Sequence, residues 1–406
     1  MLRVLHTADW HLGHTLYDYD RGPEHQAFLD FLLKTLASKR VDLLVIAGDI
    51  FDTANPPVSA LSRWYRFLAQ ATERLPDLQI VAIGGNHDSA ARLDAPEPLL
   101  SERVHVVGGL PRRSGRELDL ERLLVPIHKA GARVGWVAAI PYLRIADLPR
   151  VPDAPGDPVL AGVARIHQQV FAALAERARS GELKIACGHG FWEGGSLSPD
   201  SERKVLGGNQ HPIPVDIFPP DLDYVALGHL HHEQAVGRDT IRYSGSPIPL
   251  SMTERGYIHQ VLQVDLEPDA PAKLTPLPIP RSVDLKRIPS DGYARLEQVL
   301  SEIAALEDRT LVPRNLPYLE VRVSLEQPHP DLRRQIDKAL EGKAVRLLAV
   351  RSETTGSGKA LPDHQDLGLL TPEEVFKRRW LKQHEKAPSD AVMAAFHELI
   401  DLAEQA

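Results

Sequence analysis

Five times in the first 231 residues, a short apolar run is followed within a few positions by side chains able to hold a metal ion. Val4-Leu5-His6 leads to Asp9 and His11, and Leu44-Val45-Ile46-Ala47-Gly48 leads to Asp49. Ile80-Val81-Ala82-Ile83 leads through Gly84-Gly85 to Asn86, His87 and Asp88; Ile185-Ala186-Cys187-Gly188 leads to His189; Val225-Ala226-Leu227-Gly228 leads to His229 and His231. Apolar runs of this length, alternating with helical-period segments, read as the strands of an α/β domain. In an open α/β sheet, ligands bind where the carboxyl ends of strands converge, so residues this far apart in sequence can meet. A chain built this way is constrained to an α/β architecture with its chemistry along one rim.

The intervening segments agree. Glu24 to Leu36 places Phe28, Leu29, Phe31, Leu32, Leu33 and Leu36 largely on one helical face, and Ser59 to Ala71 does the same with Leu61, Trp64, Tyr65 and Leu68. Further strands are expected at Val134 to Ile140 and His259 to Asp265, which carries a first domain over residues 1–267. Pro149, Pro152, Pro155 and Pro158 mark a surface loop, and the Pro-rich stretch 268–281 reads as a linker. Residues 282–351 then form a small α/β module, with helices at Tyr293 to Leu306 and Asp331 to Leu340 and strands at Tyr318 to Ser324 and Ala344 to Arg351. Residues 352–370 have no period and read as a flexible tether. Thr371-Pro372-Glu373-Glu374 is a helix start, and 371–406 holds two short amphipathic helices. Their apolar residues, Phe376, Trp380, Phe396 and Ile400 among them, need a surface to dock on, because helices this short rarely persist alone.

The candidate ligands Asp9, His11, Asp49, Asn86, His189, His229 and His231 mix oxygen and nitrogen donors. Seven are too many for one tetrahedral zinc and suit two divalent ions sharing a carboxylate, for which Asp49 is the natural bridge. The pairs at spacing two, Asp9/His11 and His229/His231, point the same way if their backbone is extended. Two ions roughly 3.5–4 Å apart can clamp a phosphoryl group and activate a water.

Asp9-x-His11, Gly48-Asp49-x-x-Asp52, Gly85-Asn86-His87-Asp88, Gly188-His189 and Gly228-His229-x-His231 together resemble the signature of the calcineurin-like metallophosphoesterases. The resemblance implies a β-sandwich flanked by helices. One ion would take Asp9, His11, Asp49 and His231, the other Asp49, Asn86, His189 and His229. It also implies that His87 is no ligand but acts at the scissile phosphate, with Asp52 as its orienter. Longer stretches, including Leu5 to Gly13, Ala47 to Thr53, Phe218-Pro219-Pro220 and Tyr243 to Ser251, resemble the bacterial SbcD exonuclease-subunit family of double-strand-break repair. That likeness covers essentially the whole chain and implies exonuclease and endonuclease action on double-stranded DNA ends and hairpins with Mn2+ or Mg2+. It further implies a DNA-capping role for 282–351, docking of 371–406 on the coiled coil of an SbcC-like ATPase, and a homodimer, for which helix Ser59 to Ala71 is a candidate surface. Manganese suits a histidine-rich donor set better than magnesium.

The net charge of −8 offers no global attraction for nucleic acid, so DNA contact must come from local basic residues or bound cations. Arg333, Arg334 and Lys338 are the candidates in the small module, with Lys343, Arg346 and Arg351 nearby in sequence, and Arg112, Arg113 and Arg116 form another basic cluster. The single cysteine, Cys187, excludes an internal disulfide, and no run of about 18 apolar residues occurs, so a soluble cytoplasmic protein is expected. Two other readings remain open: a phosphoesterase for a small ester or phosphoprotein, and a DNA-end scaffold without catalysis. The additional module speaks against the first, and the complete ligand set with His87 against the second.

Overall fold

The computed structural model describes residues 1–114, 117–151, 156–198, 212–309, 315–327, 329–354, 372–384 and 386–404. Arg116, Pro152, Pro155, Thr371 and nearly all of the expected tether lie outside the described residues. The strands in chain order begin β1 (Leu2–Thr7), β2 (Thr15–Leu16), β3 (Tyr19–Asp20), β4 (Leu43–Ala47), β5 (Gln79–Ile83), β6 (Val104–Val107), β7 (Leu124–Lys129) and β8 (Ala132–Ala139). They continue with β9 (Leu183–His189), β10 (Tyr224–Gly228), β11 (Gln234–Val236), β12 (Arg238–Tyr243), β13 (Gln260–Leu266) and β14 (Lys273–Pro278). The helices between them are α1 (Gly22–Lys39), α2 (Val58–Arg74), α3 (Ala90–Asp94), α4 (Leu120–Leu123) and α5 (Pro158–Arg177).

The chain divides into two units, one of residues 1–15 and 19–280, the other of 16–18 and 281–404. The larger unit holds two six-stranded sheets, ordered β14-β13-β1-β4-β5-β6 and β11-β12-β10-β9-β8-β7. Each has a parallel core of four strands, β1, β4, β5 and β6 in one and β12, β10, β9 and β8 in the other, flanked by antiparallel strands. Side chains alternate between faces along a strand. Val4, Leu43, Val45, Val81 and Ile83 therefore join a core with Val137, Ile185, Val225 and Leu227 of the second sheet. Their neighbours Leu5, Leu44, Ile46, Ile80 and Ala82 join Phe28, Leu32, Trp64 and Phe67 of α1 and α2. Burial on both faces explains why these strands read as unbroken apolar runs.

Two expectations are corrected here. The stretch 268–281 is not a linker, because β14 pairs with β13 along its length, with Pro276 opposite Leu262 and Pro278 opposite Gln260. As the edge strand it can carry prolines, whose missing N–H is needed only by a strand on the far side. Pro158 does not belong to a loop either: it opens α5, whose N-cap Asp157 accepts from the Val159 amide at 2.8 Å.

The smaller unit has a four-stranded parallel sheet of β15 (Leu285–Ile288), β16 (Ala294–Arg295), β17 (Tyr318–Leu325) and β18 (Arg346–Thr354). β17 is central, and α6 (Leu296–Ala304) and α7 (Leu332–Ala339) bury Val299, Ile303, Leu332 and Ile336 against it. The terminal helices α8 (Pro372–His384) and α9 (Asp390–Glu404) form as expected. Phe376 and Phe396 stack on each other with ring centroids 4.1 Å apart, and Trp380 lies 5.6 Å from Phe376, so the aromatic faces meet between the two helices. Val375, Leu381 and Leu399 remain exposed.

Candidate dinuclear metal centre

The expected ligands are brought together at the carboxyl ends of β1, β4, β5, β9 and β10, and all but the half-buried Asn86 are buried. The turns that do this are strained. Asp9, His11, Asp49 and His229 have φ of 55°, 45°, 49° and 104°, a region that non-glycine residues rarely adopt and that clusters at functional sites. The expected extended backbone at Asp9-x-His11 is thus replaced by two left-handed residues. Between them Trp10 turns into the helical layer, fully buried against Phe28, Trp64 and Phe67, which anchors the turn while Asp9 and His11 face the centre. Glycine is required at two places. A Cβ on Gly48, at φ 91°, would lie 2.3 Å from the His189 ring, and one on Gly85 would lie 2.1 Å from Asp49 Oδ1.

Asp9, His11 and His231 bring ligand atoms within 4.8 Å of one another, and so do Asp49, His189 and His229. Asp49 Oδ2 lies 3.6 Å from His11 Nε2 and 3.4 Å from His189 Nε2, so one oxygen faces both groups. Asp49 Oδ1 accepts from the His87 amide at 2.9 Å. Asn86 Oδ1 lies 3.0 Å from His189 Nε2. In the same turn Asp88 accepts from the amides of Ile50, Phe51 and Gly85 at 3.1, 2.9 and 2.9 Å, stapling the two ligand-bearing turns together. Arg144, which no sequence pattern singles out, donates to the Asp88 carbonyl at 2.8 Å from outside.

The polar atoms fit divalent cations. Buried polar groups are nearly always hydrogen-bonded, yet Asp9 Oδ2, His11 Nε2 and His229 Nε2 are buried with no hydrogen-bond partner among the described residues. His189 Nδ1 donates to the Ala47 carbonyl at 2.8 Å, which turns the lone pair of Nε2 toward the Asn86 and Asp49 oxygens. Three acceptors facing one another need a cation or a proton between them. Accordingly, although burial works against its charge, Asp49 and Asp9 raise the His189 imidazole to about 9. Burial pushes the Asp9 carboxyl up to about 7. For Asp49, burial is outweighed by His189 and the other histidines, which hold its carboxyl well below the usual range.

The expected Asp52–His87 carboxylate pair is not formed. Asp52 Oδ1 accepts from His11 Nδ1 at 3.2 Å, while His87 Nδ1 donates to the main-chain carbonyl of Asp52 at 2.7 Å. A carbonyl can only accept, so Nδ1 carries the proton and Nε2 is the nitrogen left for chemistry. His231 Nδ1 is held at 2.9 Å by Glu254, a fully buried carboxylate absent from the expected site. Its one signal in the sequence, Ser251-x-x-Glu254, resembles a capping box; Ser251 does cap the turn, but Glu254 turns to His231 instead.

Near the centre, His6 bridges Tyr224 and the Leu227 carbonyl between the sheets, and Trp192 packs on Phe218 and Tyr243. In the smaller unit Arg333 pairs with Asp337 and Arg334 with Asp331 on the exposed face of α7, where Lys338 also lies. Lys343 holds the carbonyls of Ala304 and Leu306, and Arg346 stacks 4.0 Å over Tyr318. Arg113 pairs with Asp119.

Residues 2–233 match the calcineurin-like phosphoesterase family. Residues 281–384 match the family described as type 5 capsule protein repressor C-terminal domain. The chain is 41% identical over 386 residues to the SbcD polypeptide of nuclease SbcCD from Rhodobacter capsulatus, covering 92% of this chain and 93% of that protein. It is 33% identical over 403 residues to the corresponding SbcCD polypeptide of Escherichia coli K12, covering 93% and 92%. With the Bacillus subtilis protein of the same name it shares 36% identity over 275 residues, 66% of this chain and 67% of that one. The chain belongs to the calcineurin-like phosphoesterases and, among them, to the SbcD family of SbcCD nuclease polypeptides. Among the described residues no helix is long and apolar enough to cross a membrane.

Proposed function

We propose that this protein is the nuclease component of a two-component DNA-repair complex and hydrolyses phosphodiesters at double-stranded DNA ends and hairpins, acting as both exonuclease and endonuclease. The observation that carries this reading is Asp49 Oδ2 lying between two groups of inward-facing ligands, in a chain 41% identical to an SbcD nuclease polypeptide over nearly its whole length. One cation is assigned to Asp9, His11, Asp49 and His231, the other to Asp49, Asn86, His189 and His229. Manganese suits this donor set better than magnesium, because His11, His189, His229 and His231 offer imidazole nitrogens where magnesium prefers oxygen. When bound, two such ions supply a nucleophilic water at neutral pH and stabilise charge on the phosphoryl oxygens.

The chain's own residues do the rest. Asp49 positions His87 through the His87 amide, and the Asp52 carbonyl holds its Nδ1 proton, so the leaving oxygen would take its proton from Nε2 of the imidazolium form, which returns to the neutral Nδ1–H tautomer. Because the His87 ring packs edge-on against His11 at 4.8 Å, its place beside the cation groups is set by packing as well. Contact with DNA phosphates is assigned to the smaller unit, where Arg333 and Arg334 of α7 already pair with Asp337 and Asp331 and Lys338 adds a further charge. The exposed Val375, Leu381 and Leu399 supply the outward face of α8 and α9 for the coiled coil of an ATPase partner, with Phe376 and Phe396 holding the two helices together. A homodimer through the outer face of α2 is consistent with the exposed Val58 at its start.

The test is Mn2+-dependent cleavage of linear and hairpin DNA by the chain with its ATPase partner, compared with His87→Ala. The wild type should cut both substrates, and His87→Ala should retain two ions and DNA affinity while losing cleavage. Hydrolysis of a small phosphodiester without cleavage of DNA would overturn the proposal, and loss of metal from His87→Ala would overturn the role given to His87.

A further inference from the structure

His11 and His231 are backed by different chemistry from His189. In the Asp9, His11 and His231 group, both imidazoles give their Nδ1 proton to a carboxylate: His11 to Asp52 at 3.2 Å and His231 to Glu254 at 2.9 Å. In the other group, His189 gives its Nδ1 proton to the neutral Ala47 carbonyl at 2.8 Å. A carboxylate behind a histidine fixes its tautomer and raises its basicity as a ligand, more than a carbonyl does. The directly facing atoms differ in the same sense, since Asp9 offers an anionic oxygen where Asn86 offers an amide, and Asp49 is shared.

Glu254 is set before any ion arrives. Its Oε2 accepts from the Leu250 amide at 2.9 Å and from the Ser246 hydroxyl at 3.3 Å, leaving Oε1 for His231. Asp52 does two tasks with separate atoms, its carboxylate backing His11 and its main-chain carbonyl holding His87.

We infer that Asp52 and Glu254 are positioning residues that make the two halves of the centre unequal, so that the cation held by Asp9, His11 and His231 binds first and more tightly than the one held by Asn86, His189 and His229. This rests on the dinuclear reading given above. The exchangeable half is then the one carrying Asn86, next to His87.

The test is titration of the metal-depleted full chain with Mn2+, followed by calorimetry and by the electron paramagnetic resonance of free Mn2+, for wild type, Glu254→Gln and Asp52→Asn. Wild type should take up two ions in two resolved steps. Each variant should weaken the tighter step by roughly 10–100-fold, the range for removing an outer partner of a ligand, and leave the weaker step in place. The Asp52 side chain is 27% exposed, so Asp52→Asn should keep the metal-free melting temperature of wild type and carries the test even if the buried Glu254→Gln fails to fold. Two ions of equal affinity, or variants that weaken both steps alike or only the looser one, would overturn the inference. A wild-type stoichiometry other than two would instead overturn the dinuclear reading on which it rests.

Discussion

Asp49 in the larger unit and Glu320 in the smaller one are both carboxylates buried among basic side chains, 2% and 0% exposed. Glu320, on β17, is closed on every side. Arg287, Arg322 and Arg351 donate to it at 2.6, 2.9 and 2.8 Å, and both of its oxygens are used. Around Asp49 the neighbours are histidines rather than arginines. Three ligand atoms of that cluster lack hydrogen-bond partners among the described residues, and Asp49 and three of its fellow ligands sit at positive φ. A buried charge with its partners complete is a structural feature, whereas one held by strained turns among unsatisfied polar atoms is arranged for something that arrives later. The difference lies in the satisfaction of the surrounding atoms and not in burial.

The sharpest break of that comparison is removal of each carboxylate. Asp49→Ala should abolish metal-dependent hydrolysis and take bound Mn2+ from two ions towards none, as counted by atomic absorption, while changing the unfolding midpoint little. Glu320→Ala should do the reverse, leaving the ion count unchanged and destabilising the smaller unit by about 3 kcal/mol, at the lower end of the range for a buried pair because Arg351 is partly in solvent. Urea unfolding monitored by probes in each unit would separate the two.

Acid should sharpen the same contrast. Burial tends to raise the Glu320 carboxyl, but Arg351, Arg287 and Arg322 outweigh it and hold it below the ordinary 4.5. A depressed folded value means that the stabilisation is fully present above the ordinary glutamate range and is lost as pH falls through the folded value. Metal-free protein should therefore lose stability of the smaller unit below about pH 4.5, and Glu320→Gln should flatten that dependence in a pH series of urea melts.

Gly85→Ala is a smaller probe of the first unit. The new methyl, 2.1 Å from Asp49 Oδ1, should push the bridge aside and weaken both ions together with the fold intact, which titration calorimetry would detect. Smallest in stability terms is Arg333→Glu. Its exposed pair with Asp337 is worth about 0–0.5 kcal/mol, so melting should barely change, yet DNA affinity should fall and its salt dependence flatten if α7 meets phosphate. Unchanged affinity would remove α7 from the DNA surface.

Legibility from sequence follows burial and locality. Strands β1, β4, β5, β9 and β10 are readable because burial on both faces leaves apolar runs, and each ligand ends its strand or lies within four residues of its end. The short β6, interrupted by His105, and β14, with its two prolines, carry weaker patterns, so the first escapes notice and the second passes for a linker. The residues behind the ligands are hidden for another reason. Asp52 lies 41 positions from His11, and Glu254 lies 23 from His231, so no local spacing records either pairing. Asp52 stands out in the sequence, but as a partner for His87, because sequence does not tell whether its side chain or its carbonyl makes the contact. The left-handed backbone at Asp9 and His11 likewise follows from the anchoring of Trp10 in the helical layer, a tertiary effect.

The most direct measurement is a crystal of the full chain soaked in Mn2+ and recorded at the manganese absorption edge. Two anomalous peaks are expected roughly 3.5–4 Å apart, one among Asp9, His11, Asp49 and His231 and one among Asp49, Asn86, His189 and His229. A single peak, or peaks away from the Asp49 carboxylate, would rule out a centre bridged by Asp49.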